Sequence, residues 1–142
     1  MPQKFDKLGI SFQYPDNWRL DEQEAQLGRR SVTVYSPGGG FWSVSIHPRG
    51  TEPAALARAA VKAMQEEYEG LEYEETREIV AGKELIGYDF NFFYLDFTNT
   101  ACVRCLSTPW ATYTVFWEAE DREFDQYRPV FDAMMASLLR SV

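Results

Sequence analysis

"ELIGYDFNFFYLD", residues 84–96, sets Ile86, Tyr88, Phe90, Phe92 and Tyr94 on one parity and Asp89 and Asn91 on the other. Side chains along an extended strand point alternately to opposite faces. The stretch therefore reads as one long strand with an apolar face and a polar one. Downstream, "NTACVRCLS" (99–107) and "ATYTVFWE" (111–118) keep the alternation. Breaks are expected near Phe97–Asn99 and at Ser107–Trp110, where Pro109 cannot donate to a ladder. Upstream, "RRSVTVYS" (29–36) and "FWSVSIH" (41–47) flank "PGGG" and read as a hairpin. The glycines are not a phosphate cradle, because no Lys-Ser or Lys-Thr follows and a strand stands where a P-loop needs a helix.

The remaining elements frame these strands. "ISFQYPDNWRL" (10–20) begins with alternation and turns at Tyr14-Pro15-Asp16-Asn17, where Pro presets φ and Asp or Asn bonds its own backbone. Thr51–Gly70 predicts a helix with Thr51 as N-cap, Pro53 in the first turn and Gly70 closing it. Its apolar stripe holds Leu56, Ala57, Ala60, Val61, Met64 and Tyr68. The acidic run with Glu72, Glu74, Glu75 and Glu78 reads as a solvated edge strand ending at the Ala81-Gly82-Lys83 turn. A second helix covers about Arg122–Arg140, its regular part starting with Pro129 in the first turn.

Parity extended across strands sorts the sheet. The apolar set is Val32, Val34, Trp42, Val44, Ile46, the Ile86–Tyr94 series, Ala101, Val103, Cys105, Ala111, Tyr113, Val115 and Trp117. The complementary set is Ser31, Thr33, Ser43, Ser45, His47, Asp89, Asn91, Cys102, Arg104, Thr112 and Thr114. The expectation is an antiparallel sheet with one core face and one mostly polar face. Phe93, Leu95, Leu106 and Phe116 intrude on the polar set, so a segment or helix should cross part of it.

Cys102 and Cys105 form a C-x-x-C, but residues three apart on a strand point to opposite faces. A redox or zinc motif needs both sulfurs to converge. With one histidine and no second pair, no metal or cofactor site is expected. Ser43, Ser45, His47, Asp89, Asn91 and Arg104 remain as candidate binding residues on one polar face, with Trp110 beside a turn as a further contact. No G-x-S-x-G elbow or convergent triad marks a catalytic residue. Asp89 and Arg104 are expected to form a cross-strand ion pair.

The 142 residues suit a single domain, 1–142, that needs no metal or disulfide for stability. Asp plus Glu number 22 against 14 Lys plus Arg, a formal charge of −8, which argues against nucleic-acid and anionic-membrane partners. No apolar run approaches the ~20 residues of a membrane span, and no leader pattern opens the chain, so a soluble cytoplasmic protein is expected.

"GISFQYPDNWRLDE" (9–22), the strand pair, helix and long strands that follow, and "TYTVFWEAED" (112–121) leading into "FDQYRPVFDAMMASLL" (124–139) resemble the PsbP/Mog-like superfamily. That resemblance implies an α+β fold: an α/β/α sandwich around an antiparallel sheet of about six or seven strands, with two main helices. It also implies a binding role without catalysis; no Ran-binding residue of the Mog-type relatives is carried over. The leading expectation is a non-enzymatic binding or interaction protein using the polar sheet face or acidic rim. The alternative is a small-molecule-binding domain or enzyme with a pocket around His47, Asp89 and Arg104.

Overall fold

The computed structural model describes residues 1–142. The strands are β1 (Gln3–Lys7), β2 (Ile10–Tyr14), β3 (Arg19–Asp21), β4 (Ser31–Tyr35), β5 (Phe41–Pro48), β6 (Glu72–Val80), β7 (Lys83–Tyr94), β8 (Phe97–Ser107) and β9 (Ala111–Glu120). The helices are α1 (Gln23–Gln26), α2 (Pro53–Glu67) and α3 (Asp121–Leu139). Seven strands make one antiparallel sheet, in the order β3-β4-β5-β9-β8-β7-β6, and β1 and β2 form a separate hairpin. The α+β sandwich is as expected. No helix is long and apolar enough to cross a membrane.

Local chemistry moves some boundaries. Both two-residue turns beside β7 have positive φ, Ala81 at 53° with Gly82 at 77°, and Leu95 at 52° with Asp96 at 66°. That geometry matches the twist of paired strands. The second turn precedes the expected break at Phe97–Asn99: the Tyr94↔Phe97 pairing sets it on Leu95 and Asp96, of which only Asp is a usual turn residue. Thr51 does not cap α2: its hydroxyl donates to the Pro48 carbonyl at 2.6 Å, and Glu52 is the N-cap. Helix α3 begins at Asp121, and Pro129 lies inside it rather than in its first turn. An internal proline costs ~3 kcal/mol. Phe124 before it and Phe131, Met134, Met135 and Leu138 after it are all buried, at roughly 1.5–3 kcal/mol each, so packing holds the helix through the defect.

Register corrects the single polar face. Val32↔Val44, Val34↔Trp42, Trp42↔Trp117 and Val44↔Val115 lie on one face, and the same rows run on to Cys102 opposite Trp117 and Arg104 opposite Val115. They continue to Gly87 opposite Arg104 and Asp89 opposite Cys102. The polar parity of β7 and β8 therefore shares a face with the apolar parity of β4, β5 and β9. On the reverse face, Ser45 and Cys105 both stand opposite Thr114. The first face packs against α3 and the β1–β2 hairpin in a 23-residue core that includes Trp42, Trp117, Leu106 and Phe131. The reverse face packs α2 onto β7, β8 and β9 through Ala57, Val61, Met64, Phe90, Val103 and Cys105. Each face is apolar where a layer covers it and polar beyond.

Under the end of α2 this arrangement half-buries Glu118 near Glu67. Burial, and then the Glu67 charge, push its carboxyl up to about 7.

Candidate functional site

The polar end of the α3 face lies over β6, β7 and β8. Arg104 projects from β8 across β7, where Gly87 stands directly opposite it. A Cβ at Gly87 would collide with the Val103 carbonyl and come within 3.1 Å of the Arg104 Cδ. The glycine lets the side chain lie flat across the neighbouring strand. Only 9% of that side chain is exposed. Its Nε donates to Glu78 Oε1 and its Nη2 to Asp89 Oδ1, each at 2.8 Å. Its Nη1 donates to the Val103 and Tyr88 carbonyls at 2.9 and 3.2 Å, and the guanidinium carbon lies 5.6 Å from the centre of the Trp117 ring. Burial works against the charge, but the hydrogen bonds to Glu78 and Asp89 outweigh it, so Arg104 is held above its ordinary value.

Between this group and α3 runs a cleft of about 390 Å³. Trp117, Leu85, Phe124 and Met135 supply apolar lining; Glu78, Asp89, Arg104, Arg128 and Asp132 supply charge. Cys102 also lines it. Its thiol is pushed far up, first by burial and then by Asp89, so it stays protonated. Cys105 points to the α2 face instead, where burial raises it too. The two sulfurs do not converge, as their spacing predicts.

Of the sequence candidates, the structure brings Asp89 and Arg104 together in this cleft, paired as expected. Asn91 shares their face but serves a chain linking β7, β8 and α3: its Nδ2 donates to Thr100 Oγ1 at 3.0 Å, and Thr100 donates to Asp121 at 2.8 Å. Ser43, Ser45 and His47 lie on the reverse face, away from the cleft. Ser43 donates to the Phe116 carbonyl at 3.3 Å, Ser45 pairs with the Ser31 hydroxyl at 3.2 Å, and His47 Nε2 sits 3.0 Å from Thr114 Oγ1. Burial lowers the His47 pKa. Trp110, 80% exposed, stands in the β8–β9 turn. Sequence reasoning missed Glu78, Trp117, Arg128 and Asp132. One signal for the last two was available: Phe124, Arg128 and Asp132 recur at four-residue steps, placing opposite charges in an apolar helical stripe.

The seven-stranded sheet between α2 and the α3–hairpin layer is a PsbP-like fold. No family model and no curated sequence matches the chain. Among solved structures, the cyanobacterial PsbP protein CyanoP of Synechocystis sp. PCC 6803 superposes with a TM-score of 0.65 at 14% identity, over 96% of this chain and 90% of that one. PA94 of Pseudomonas aeruginosa, a protein of unknown function, gives 0.59 at 12% identity over 96% and 95%. LpqN of Mycobacterium tuberculosis, involved in cell envelope biogenesis, gives 0.53 at 13% over 94% and 86%. At these identities the likeness is one of fold.

Proposed function

We propose that this is a non-enzymatic binding protein whose α3 cleft holds a small cationic ligand with an apolar body. The observation that carries the reading is the imbalance of polar groups around Arg104. Four of its five N–H donors are used within the protein, whereas Glu78 and Asp89 each give it a single oxygen. Adding Asp132 and Arg128, the lining carries three carboxylates against two guanidinium groups. Spare acceptors in a partly enclosed cleft favour a donor-rich cation, and Trp117 and Phe124 offer apolar surface for its body. The cleft volume lies in the usual range for small-molecule sites, ~300–1,000 Å³. A binding role without chemistry is favoured because the one thiol in the cleft is held protonated and His47 lies on the other face.

Two probes of one shape and opposite charge test this. Titrating labelled protein with benzylamine should shift the Trp117 indole N–H and the amides of Asp89 and Arg104 in heteronuclear NMR spectra, and Asp89→Asn should weaken the response. Benzoate should leave these signals in place. Equal response to both probes, or none to either, overturns the reading.

A further inference from the structure

The outer edge of β6 closes the sheet on one side with nine residues, "EYEETREIV", while the opposite edge strand β3 has three. A long free edge exposes unpaired backbone groups and is a template for another strand. Charge alone does not account for this one. Ile79 is 76% exposed and Tyr73 is 49% exposed, both on the face that carries Glu75 and Arg77. Thr76, at the centre, holds one of two buried side-chain polar atoms in the protein with no hydrogen-bond partner.

We propose that β6 pairs antiparallel with β6 of a second copy of this chain, about a two-fold axis through Thr76, joining two sheets into one of fourteen strands. In that register Tyr73 meets Ile79 and Glu75 meets Arg77, twice each by symmetry, on the α2 face. Opposite-charge and aromatic–aliphatic cross-strand pairs both stabilise a ladder. On the α3 face the two Thr76 side chains meet across the axis, and a turn about χ1 from the enclosed position of Oγ1 would let the two hydroxyls bond each other. The like-charge pair, Glu74 against Glu78, also occurs twice by symmetry, and in both copies Glu78 is already tied to Arg104. Neighbouring registers fail on charge. With sheet faces kept aligned, an axis at residue 74, 75, 77 or 78 sets Glu74, Glu75, Arg77 or Glu78 against its own copy. Attraction and repulsion balance only in the register centred on the uncharged threonine, whereas each slipped pairing is left with net repulsion. Arg77 lies 3.5 Å from Glu75 on its own strand and 3.6 Å from Glu84 on β7, so on pairing its 60%-exposed side chain would turn from Glu84 to the second copy's Glu75.

Sedimentation velocity over a concentration series tests the pairing. The wild-type mass should rise from the 16.4 kDa monomer towards twice that value as concentration increases. Arg77→Glu turns both Glu75–Arg77 pairs into repulsions and should remain monomeric. Combining Glu75→Arg with Arg77→Glu restores the pairs in swapped order and should restore the dimer, with circular dichroism confirming that each variant is folded. A wild-type protein monomeric at every concentration overturns the proposal, as does an Arg77→Glu variant that associates like wild type. A folded double variant that fails to recover association also overturns it.

Discussion

Glu118→Gln isolates a single electrostatic cost in the fold. Glu118 stands between Phe41 on β5 and Ala101 on β8, below the end of α2. Glu67 at the end of the helix and Tyr68 just beyond it face Glu118, and Tyr68 is itself pushed up to about 12, first by burial and then by the Glu118 charge. An acid whose folded value, about 7, exceeds its ordinary 4.5 holds its proton more tightly in the folded chain than in the unfolded one. Stability from this group therefore falls as pH rises from 4.5 to about 7 and is flat above. At ~1.4 kcal/mol per pH unit, that interval sets a ceiling of about 3 kcal/mol. Glu118 is half-buried, so water screens part of the cost and ~1–3 kcal/mol is expected. Glutamine keeps the shape and removes the charge. Urea unfolding followed by tryptophan fluorescence should find the two proteins close to equal at pH 4. The glutamine variant should gain ~1–3 kcal/mol over wild type by pH 8. A stability difference that is the same at both pH values, or a variant less stable than wild type at pH 8, refutes the reasoning.

Other substitutions test the remaining structural claims. Gly87→Ala forces a methyl group against the Val103 carbonyl and should cost ~1–3 kcal/mol in the same urea assay, with the β7–β8 amides losing hydrogen-exchange protection. Arg104→Met strips Glu78 and Asp89 of their shared cation. Both carboxylates are more than 40% exposed, so the loss should be ~1–3 kcal/mol, below the ~3–5 kcal/mol of a fully buried pair. Cys105, fully buried under α2, should react with a disulfide reagent only as fast as the protein unfolds, and rapid labelling of it in native protein would contradict that burial. Trp110→Ala should change stability by no more than ~0.5 kcal/mol, since the side chain is 80% exposed.

The sequence by itself determined the elements. Alternation in residues 84–94, 99–107 and 111–118 identified the long strands, because period-two burial is written in each strand alone. The same parity separated Cys102 from Cys105, which depends only on positions within one strand. It paired Asp89 with Arg104 correctly, because β7 and β8 are joined by a short turn. Tertiary structure decided which parity of one strand meets which parity of the next. A one-residue change of register moves every side chain to the other face, and no single strand carries that information. Ser43, Ser45 and His47 were thereby parted from Asp89 and Arg104. The cleft likewise depended on where α3 came to rest: Pro129 marks a helix start in isolation, whereas buried contacts on both sides of it carry the helix through and place Arg128 and Asp132 over Arg104.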